Sequence, residues 1–310
     1  MLVRMLLAVF PLAVQSVFAA HAQSAKVLVL REPRPIYEQA VQALCAALNA
    51  QRVSHQVVVV AADEPRARAD VQQRLAESKP AVAVVTGAPL VEAALAAKSG
   101  ATIVHLMVPN AADASFAAGR SERVCGIACD VAPSVLVEWV RRTAPEARRI
   151  AVLRGDATAR TVEALVAEGR KQGLEIVGLD VDRDRFAEAT AKLDEARFDG
   201  ALMIPDSSVY NSQNVEHLLL WGVRRKKPVW GFSGKIVRAG AFASVHVEPD
   251  EIGRETAELV RAILADANAA REVLAYPAHY GRAVNTRTAE LIGIPLDAAK
   301  LGGDIVRVGE

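Results

Sequence analysis

The sequence predicts an α/β fold of two lobes, each a parallel sheet covered by helices. Short runs of β-branched residues alternate with stretches whose apolar residues recur at helical spacing, as is typical of strands joined by crossover helices. A first run of this alternation ends before Pro133, and a second run of similar length begins there. Two such runs predict two lobes, with right-handed crossovers in each.

The first half is predicted to contain five strands. Residues 26–30 are apolar after Lys26, as expected for a strand covered on both faces. Apolar residues between Tyr37 and Leu48 then follow helical spacing. The remaining strands of this half are predicted at 56–60, 80–86, 101–107 and 124–128.

The second half repeats the pattern and extends it. Strands are predicted at 148–153, 175–179, 200–204, 228–232 and 243–247, with helices at 133–142, 158–173, 186–196, 211–223 and 250–264. Residues 276–310 are expected to form short elements. The halves lack a linker rich in proline, glycine or serine, which favours lobes joined by several crossing segments.

The first 22 residues have the pattern of a cleavable signal peptide. Arg4 precedes an apolar run over residues 5–14, and Ala20-His21-Ala22 is a small-x-small cleavage pattern. The run is shorter than the roughly 20 residues of a spanning helix. We therefore predict export to the periplasm. Because no cysteine follows the run, we do not expect a lipoprotein.

Charge and motifs argue against several classes of protein. The chain has 37 Lys and Arg and 36 Asp and Glu, and Arg4 is the one charged residue of the predicted signal, so the mature protein is formally neutral. Neutrality argues against a nucleic-acid partner. Dinucleotide, phosphate-loop and nucleophile-elbow motifs are missing, so we expect no enzyme activity and no cofactor. A monomer is expected.

The three cysteines are Cys45, Cys125 and Cys129. An exported chain meets oxidising conditions, which would permit a Cys125–Cys129 disulfide. The favoured alternative is that all three are small buried apolar side chains. The histidines are scattered, and no metal site is expected.

Loops at the carboxyl ends of the predicted strands supply the candidate ligand site, because open α/β sheets bind ligands there. At Thr86 and Gly87, a hydroxyl and backbone N–H groups at a helix start can bind an anion, although an ordinary helix cap is the alternative. Residues 205–210 offer a carboxylate, hydroxyls and a ring, with capping again the alternative. The candidate residues are Thr86, Gly87, Pro109, Asn110, Asp206, Ser207, Ser208, Tyr210, Phe232, Ser233 and His246.

Four segments resemble a known family. Ala201–Ser208, Lys227–Ala241, Ile252–Ala257 and Val284–Pro295 are similar, in order and spacing, to segments of ABC-transporter substrate-binding proteins, the family that includes tryptophan- and tyrosine-binding members. The resemblance implies a small-molecule ligand and an inner-membrane ABC permease as partner. A sensor subunit for a membrane kinase or cyclase is an alternative, and a periplasmic hydrolase is a further one.

The resemblance also implies the type I periplasmic-binding architecture of two Rossmann-like lobes with three crossovers. Residues 23–130 and 249–275 would form lobe 1, and residues 131–248 and 276–310 lobe 2. Many relatives carry an acidic residue where this chain has Phe232-Ser233-Gly234. An anionic or neutral solute is therefore expected at least as much as an aromatic amino acid.

Overall fold

The structure is a computed structural model that describes residues 26–60, 64–118, 124–269, 274–297, 301–302 and 305–309. The predicted signal peptide lies outside these residues. Within them, no helix has both the length and the apolar character needed to cross a membrane.

Five parallel strands form the first sheet, in the order β2-β1-β3-β4-β5. The β-branched runs of the sequence account for its interior, since every residue of the third strand is buried. The elements are β1 (Val27–Arg31), α1 (Pro35–Ala50), β2 (His55–Val59), α2 (Glu64–Ser78), β3 (Val82–Thr86), α3 (Ala88–Ala96), β4 (Thr102–Leu106), α4 (Ser115–Ala118) and β5 (Val124–Gly126).

Seven strands form the second sheet, in the order β12-β11-β10-β9-β8-β6-β7. Apolar side chains pack on both of its faces, including the fully buried Trp230, whose Nε1 donates to Thr143 Oγ1 at 2.8 Å. The elements are α5 (Pro133–Thr143), β6 (Arg149–Arg154), α6 (Ala159–Lys171), β7 (Glu175–Asp180), α7 (Phe186–Glu195), β8 (Gly200–Leu202), α8 (Ser212–Arg225), β9 (Val229–Gly231), α9 (Gly234–Arg238), β10 (Ala243–His246), α10 (Pro249–Ala265), β11 (Gly281–Asn285), α11 (Thr286–Ile292) and β12 (Val306–Val308).

The chain passes between the two sheets three times. After β5 of the first sheet, α5 packs on α6 and β10 of the second. After β10, α10 returns to pack against α1. The contact is close, because a Cβ at Gly253 would lie 2.2 Å from the carbonyl oxygen of Ala40. The chain then re-enters the second sheet as β11. The predicted fold of two lobes and three crossovers is confirmed, while the exact lobe boundaries stay a prediction.

One strand pairing departs from the predicted parallel arrangement, and it reverses both β11 and β12 relative to the rest of the sheet. β11 pairs antiparallel with β10, and Gly281 lies opposite His246. The reason is the route of the chain: β10 ends where the chain leaves for α10, and β11 starts where the chain returns. A strand that begins beside the end of its neighbour must run in the opposite direction.

The three cysteines are free thiols. Cys125 is buried, and Cys45 and Cys129 are half-buried in the core of the first sheet. Burial raises the pKa of both the Cys125 and the Cys129 thiol to about 12. The favoured alternative, small apolar side chains without a disulfide, therefore describes them.

Candidate ligand site between the lobes

Two cavities lie between the lobes. The hinge-side cavity, of about 590 Å³, is lined by both lobes and by the crossing segments at 129–131 and 247–249. The outer cavity, of about 500 Å³, lies away from those segments. Pro109 and Asn110 from the first lobe line both. These volumes are in the range of small-molecule sites.

Asp206 organises the outer cavity. Its Oδ2 accepts hydrogen bonds from Gly155 N at 2.9 Å and Thr158 Oγ1 at 2.9 Å, and its Oδ1 accepts from Ser208 N at 2.9 Å and from the Ser208 hydroxyl. Burial alone would raise the pKa of this carboxyl, but the hydrogen bonds outweigh it and the pKa is lowered. Four donors leave this carboxylate little capacity for a ligand.

The other predicted residues of this segment differ in exposure. Ser207 and Ser208 are exposed at the cavity wall. The Tyr210 hydroxyl donates to Leu153 O at 3.4 Å, and its ring lies 6.2 Å from that of Phe232. Burial raises the pKa of Tyr210, so its hydroxyl stays protonated. The two rings give the outer cavity an aromatic wall.

A carboxylate of the first lobe caps a helix of the second. Asp113 accepts from Arg160 N at 2.8 Å, from Thr161 N at 3.0 Å and from Thr161 Oγ1 at 2.7 Å, all at the start of α6. The helix's own N-cap residue, Thr158, makes no capping bond. Asn110 Nδ2 also donates to Pro205 O across the cleft. These contacts hold the lobes together at the outer cavity.

In the hinge-side cavity, Asp130 fixes the loop that follows β4. Its Oδ1 accepts from Asn110 N at 2.8 Å and its Oδ2 from Ala111 N at 3.1 Å. Burial raises the pKa of Asp130 to about 6, although these hydrogen bonds oppose the shift. The bonds support a loop in which Asn110 has a φ of 49°, a conformation uncommon for residues other than glycine.

His246 lies on the floor of the hinge-side cavity between two polar side chains. Its Nδ1 is 2.9 Å from Ser244 Oγ, and its Nε2 is 2.9 Å from Glu248 Oε1. Burial lowers the pKa of His246, even though Glu248 favours the charged form. The serine, histidine and glutamate resemble a hydrolase relay in order, but Ser244 is completely buried and lines neither cavity. The arrangement offers no nucleophile to a ligand in the cleft.

The rest of the hinge-side cavity combines an apolar wall with a cationic edge. Ser233 caps α9 by accepting from Ile236 N at 3.3 Å. Lys235 and Arg238 of that helix are exposed and line the cavity. The apolar lining comes from both lobes and includes Ile36, Met107, Leu136, Met203, Ile204, Phe232 and Val245.

Thr86 and Gly87 are set back from both cavities. Thr86 is completely buried, and its Oγ1 accepts from Glu32 N at 3.2 Å. Gly87 has a φ of 71° and precedes α3. A Cβ at this glycine would lie 3.2 Å from the hydroxyl oxygen of Tyr37. Both residues thus support the loops around Tyr37 instead of forming the cavity walls.

The other nine predicted residues line one or both cavities. That they bind a ligand stays a prediction. The candidates that were missed are Tyr37, Asp130, Lys235 and Arg238. Asp130 could have been identified from the sequence, because it lies at the predicted lobe boundary between residues 130 and 131, where the chain crosses between the lobes. Lys235 and Arg238 could also have been identified from the sequence, because these two cations are spaced three residues apart directly after the predicted loop at Ser233.

Comparison with known proteins identifies the chain's relatives. The family described as ABC transporter substrate binding protein matches residues 37–295. A search of the curated proteins gives no match.

Solved structures share the fold at low sequence identity. A substrate-binding protein with adhesive properties from Clostridium difficile, in its ligand-free, open form, is 17% identical with a TM-score of 0.73, covering 91% of this chain and 99% of its own. An ABC domain in complex with L-Trp from Streptococcus pneumonia is 16% identical with a TM-score of 0.65, covering 91% of this chain and 100% of its own. A periplasmic ribose ABC transporter protein from Conexibacter woesei is 15% identical with a TM-score of 0.61, covering 89% of this chain and 96% of its own.

Proposed function

The chain belongs to the ABC transporter substrate-binding protein family, and on that premise we propose that it captures a small polar or amphipathic solute between its lobes in the periplasm and delivers it to an inner-membrane ABC permease. The candidate solutes are amino-acid-like molecules and organic anions. The signal-peptide pattern of residues 1–22 supports the periplasmic location.

The observation that carries the proposal is the hinge-side cavity. Side chains from both lobes line it, and the segments that cross between the lobes form one end. A ligand held by both lobes makes more contacts when the lobes are closed than when they are apart. Its binding energy therefore shifts the population towards the closed form, which is the form that a permease would distinguish from the empty one.

Mass spectrometry of the natively purified mature protein tests the proposal. Denaturation is expected to release one small molecule at close to one equivalent. Protein stripped by unfolding and refolded should bind that molecule in calorimetry, and small-angle scattering should show compaction at saturation. A verified ligand that binds without compaction would remove the closure mechanism. If the protein releases no molecule and binds no solute from a broad panel, the function itself is wrong.

A further inference from the structure

The charged groups of the hinge-side cavity are unevenly satisfied. The carboxylates of Asp130 and Glu248 both have partners within the protein, two backbone N–H groups for Asp130 and His246 Nε2 for Glu248. Burial and the nearby Arg238 lower the pKa of His246, so this side chain is neutral at pH 7 and adds no positive charge. The anionic side chains of the cavity, Asp130 and Glu248, therefore already have hydrogen-bond partners within the protein.

The cations of the same cavity have no such partners. Lys235 and Arg238 are three residues apart on α9, which places them on one side of the helix. Across the described parts of the chain, neither makes a hydrogen bond or an ion pair with another residue. Two neighbouring cations without a counter-charge attract an anion.

The same cavity has an apolar wall, formed by Met107 and Ile36 from the first lobe and Leu136, Met203 and Phe232 from the second. We infer that the cavity binds an organic anion whose acidic group lies between Lys235 and Arg238 and whose apolar body packs against this wall. The inference rests on the proposed function and narrows its ligand to one chemical class.

Two further groups define the far end of such a ligand. Asn110 Oδ1 is buried without a hydrogen-bond partner, while its Nδ2 is engaged with Pro205 O. Tyr37 lines the cavity, and its hydroxyl makes no hydrogen bond within the described residues. Leaving a buried acceptor unpaired is unfavourable unless a ligand satisfies it. A ligand N–H or O–H group would satisfy Asn110 Oδ1.

Gly234 lines the cavity next to His246 and Arg238. A Cβ at this position would lie 3.5 Å from the His246 ring and 3.6 Å from Arg238 Nη1, which are ordinary contact distances. Gly234→Ala is therefore expected to fold and to keep most of the binding. The larger Gly234→Val is expected to extend into the space beside Arg238 and to lower affinity without any change of charge.

The test uses the stripped, refolded mature protein and matched sets of compounds. Hexanoate, benzoate and 3-phenylpropanoate are compared with their amides and with the amines of the same carbon skeletons, by thermal shift and calorimetry. Inorganic phosphate serves as an anion without an apolar body. The carboxylates are expected to raise Tm, while the amides, amines and phosphate leave it unchanged. Their affinity should fall as ionic strength rises, because exposed cations are screened by salt.

The double variant K235Q/R238Q is expected to lose at least tenfold in carboxylate affinity with unchanged unfolding. The control is K192Q/R224Q, which removes two exposed cations of the same lobe that line neither cavity. This control should bind as the parent does.

Three results would overturn the anion assignment while leaving solute binding intact. They are equal binding of amides or amines, an unchanged affinity in K235Q/R238Q, and a co-purified ligand that lacks an acidic group. The absence of any bound or released compound would instead count against the proposed function, so the two failures are distinguishable.

Discussion

The two cavities between the lobes contain similar residue types but use them differently. In the outer cavity, Asp206 and Asp113 each accept three or more hydrogen bonds from the protein itself. In the hinge-side cavity, Lys235, Arg238 and the Tyr37 hydroxyl have no protein partner within the described residues. Polar groups that are already paired build the structure, and unpaired ones are available to a ligand. We therefore propose that the outer cavity serves lobe contact and that the hinge-side cavity serves recognition.

The largest expected effect is the loss of the Asp206 carboxylate. Asp206→Ala removes the acceptor of the Gly155 and Ser208 N–H groups and one of the two acceptors of the Thr158 hydroxyl, and we expect the free energy of unfolding to fall by roughly 3 kcal/mol. Ser207→Ala is the control, because that exposed side chain makes no hydrogen bond, and its effect should stay within about 0.5 kcal/mol. Urea denaturation measures both. An equal effect of the two variants would remove Asp206 as the organiser of the outer cavity.

The next effect concerns the contact between the lobes. Asp113→Ala removes the cap that the first lobe places on α6, so the closed form loses stability relative to the open one. We expect about a tenfold loss of ligand affinity, which corresponds to about 1.4 kcal/mol, and a larger radius of gyration in small-angle scattering. Asp156→Ala removes an equal charge from an exposed residue close to the same helix start. If this control opened the cleft to the same extent, the effect would be one of charge and not of capping.

A further effect should appear in the pH dependence of stability. The folded-state pKa of Asp130 is raised from 3.8 to about 6, so between these values the folded protein binds more protons than the unfolded chain. Stability is therefore expected to decrease as pH rises from about 4 to about 6. In Asp130→Asn this slope should flatten. Denaturant titrations at several pH values compare the slopes, and an unchanged slope in the variant would contradict the prediction.

The smallest effect tests the free hydroxyl of the hinge-side cavity. Tyr37→Phe removes a hydroxyl that has no hydrogen-bond partner among the residues that the structure describes, so Tm should not change. Ligand affinity is expected to fall by a few-fold, which corresponds to about 0.5–1 kcal/mol for one hydrogen bond. Tyr276→Phe is the control, since this half-exposed ring lines neither cavity. Calorimetry with the identified ligand should separate the two variants.

The sequence predicted the fold because its signals are local. The β-branched runs and the apolar periodicity marked the strands and helices to within a few residues, and their order predicted two lobes. The direction of β11 was not predictable in this way, because it depends on where the chain returns from the other lobe. The residues of Gly281–Asn285 do not indicate which strand they pair with or in which direction.

The candidate site was predictable only in part, for a related reason. Loop position at strand ends identified Asn110, Asp206 and Phe232 as cavity residues. Whether a polar group is free for a ligand depends on partners that are distant in sequence. Thr158 lies 48 residues from Asp206, and Asp113 lies 48 residues from Thr161. Composition and spacing do not encode such pairs. For this reason Asp206 was predicted to bind the ligand although the protein already satisfies it, and the unpaired Lys235 and Arg238 were overlooked.

The contact between two of the crossing segments has a kinematic consequence. Ala128 N donates to Ala275 O at 2.7 Å and Ala275 N donates to Gly126 O at 3.1 Å, which joins these segments into a short ribbon. Segments joined in this way resist sliding past one another, so a rotation of the lobes would have its axis near the ribbon. In a rotation, displacement grows with distance from the axis. A few degrees of opening would move Asp113 away from α6 while the loop held by Asp130 hardly shifts. Solute would then enter and leave through the outer cavity, and the hinge-side end would keep its shape throughout the cycle.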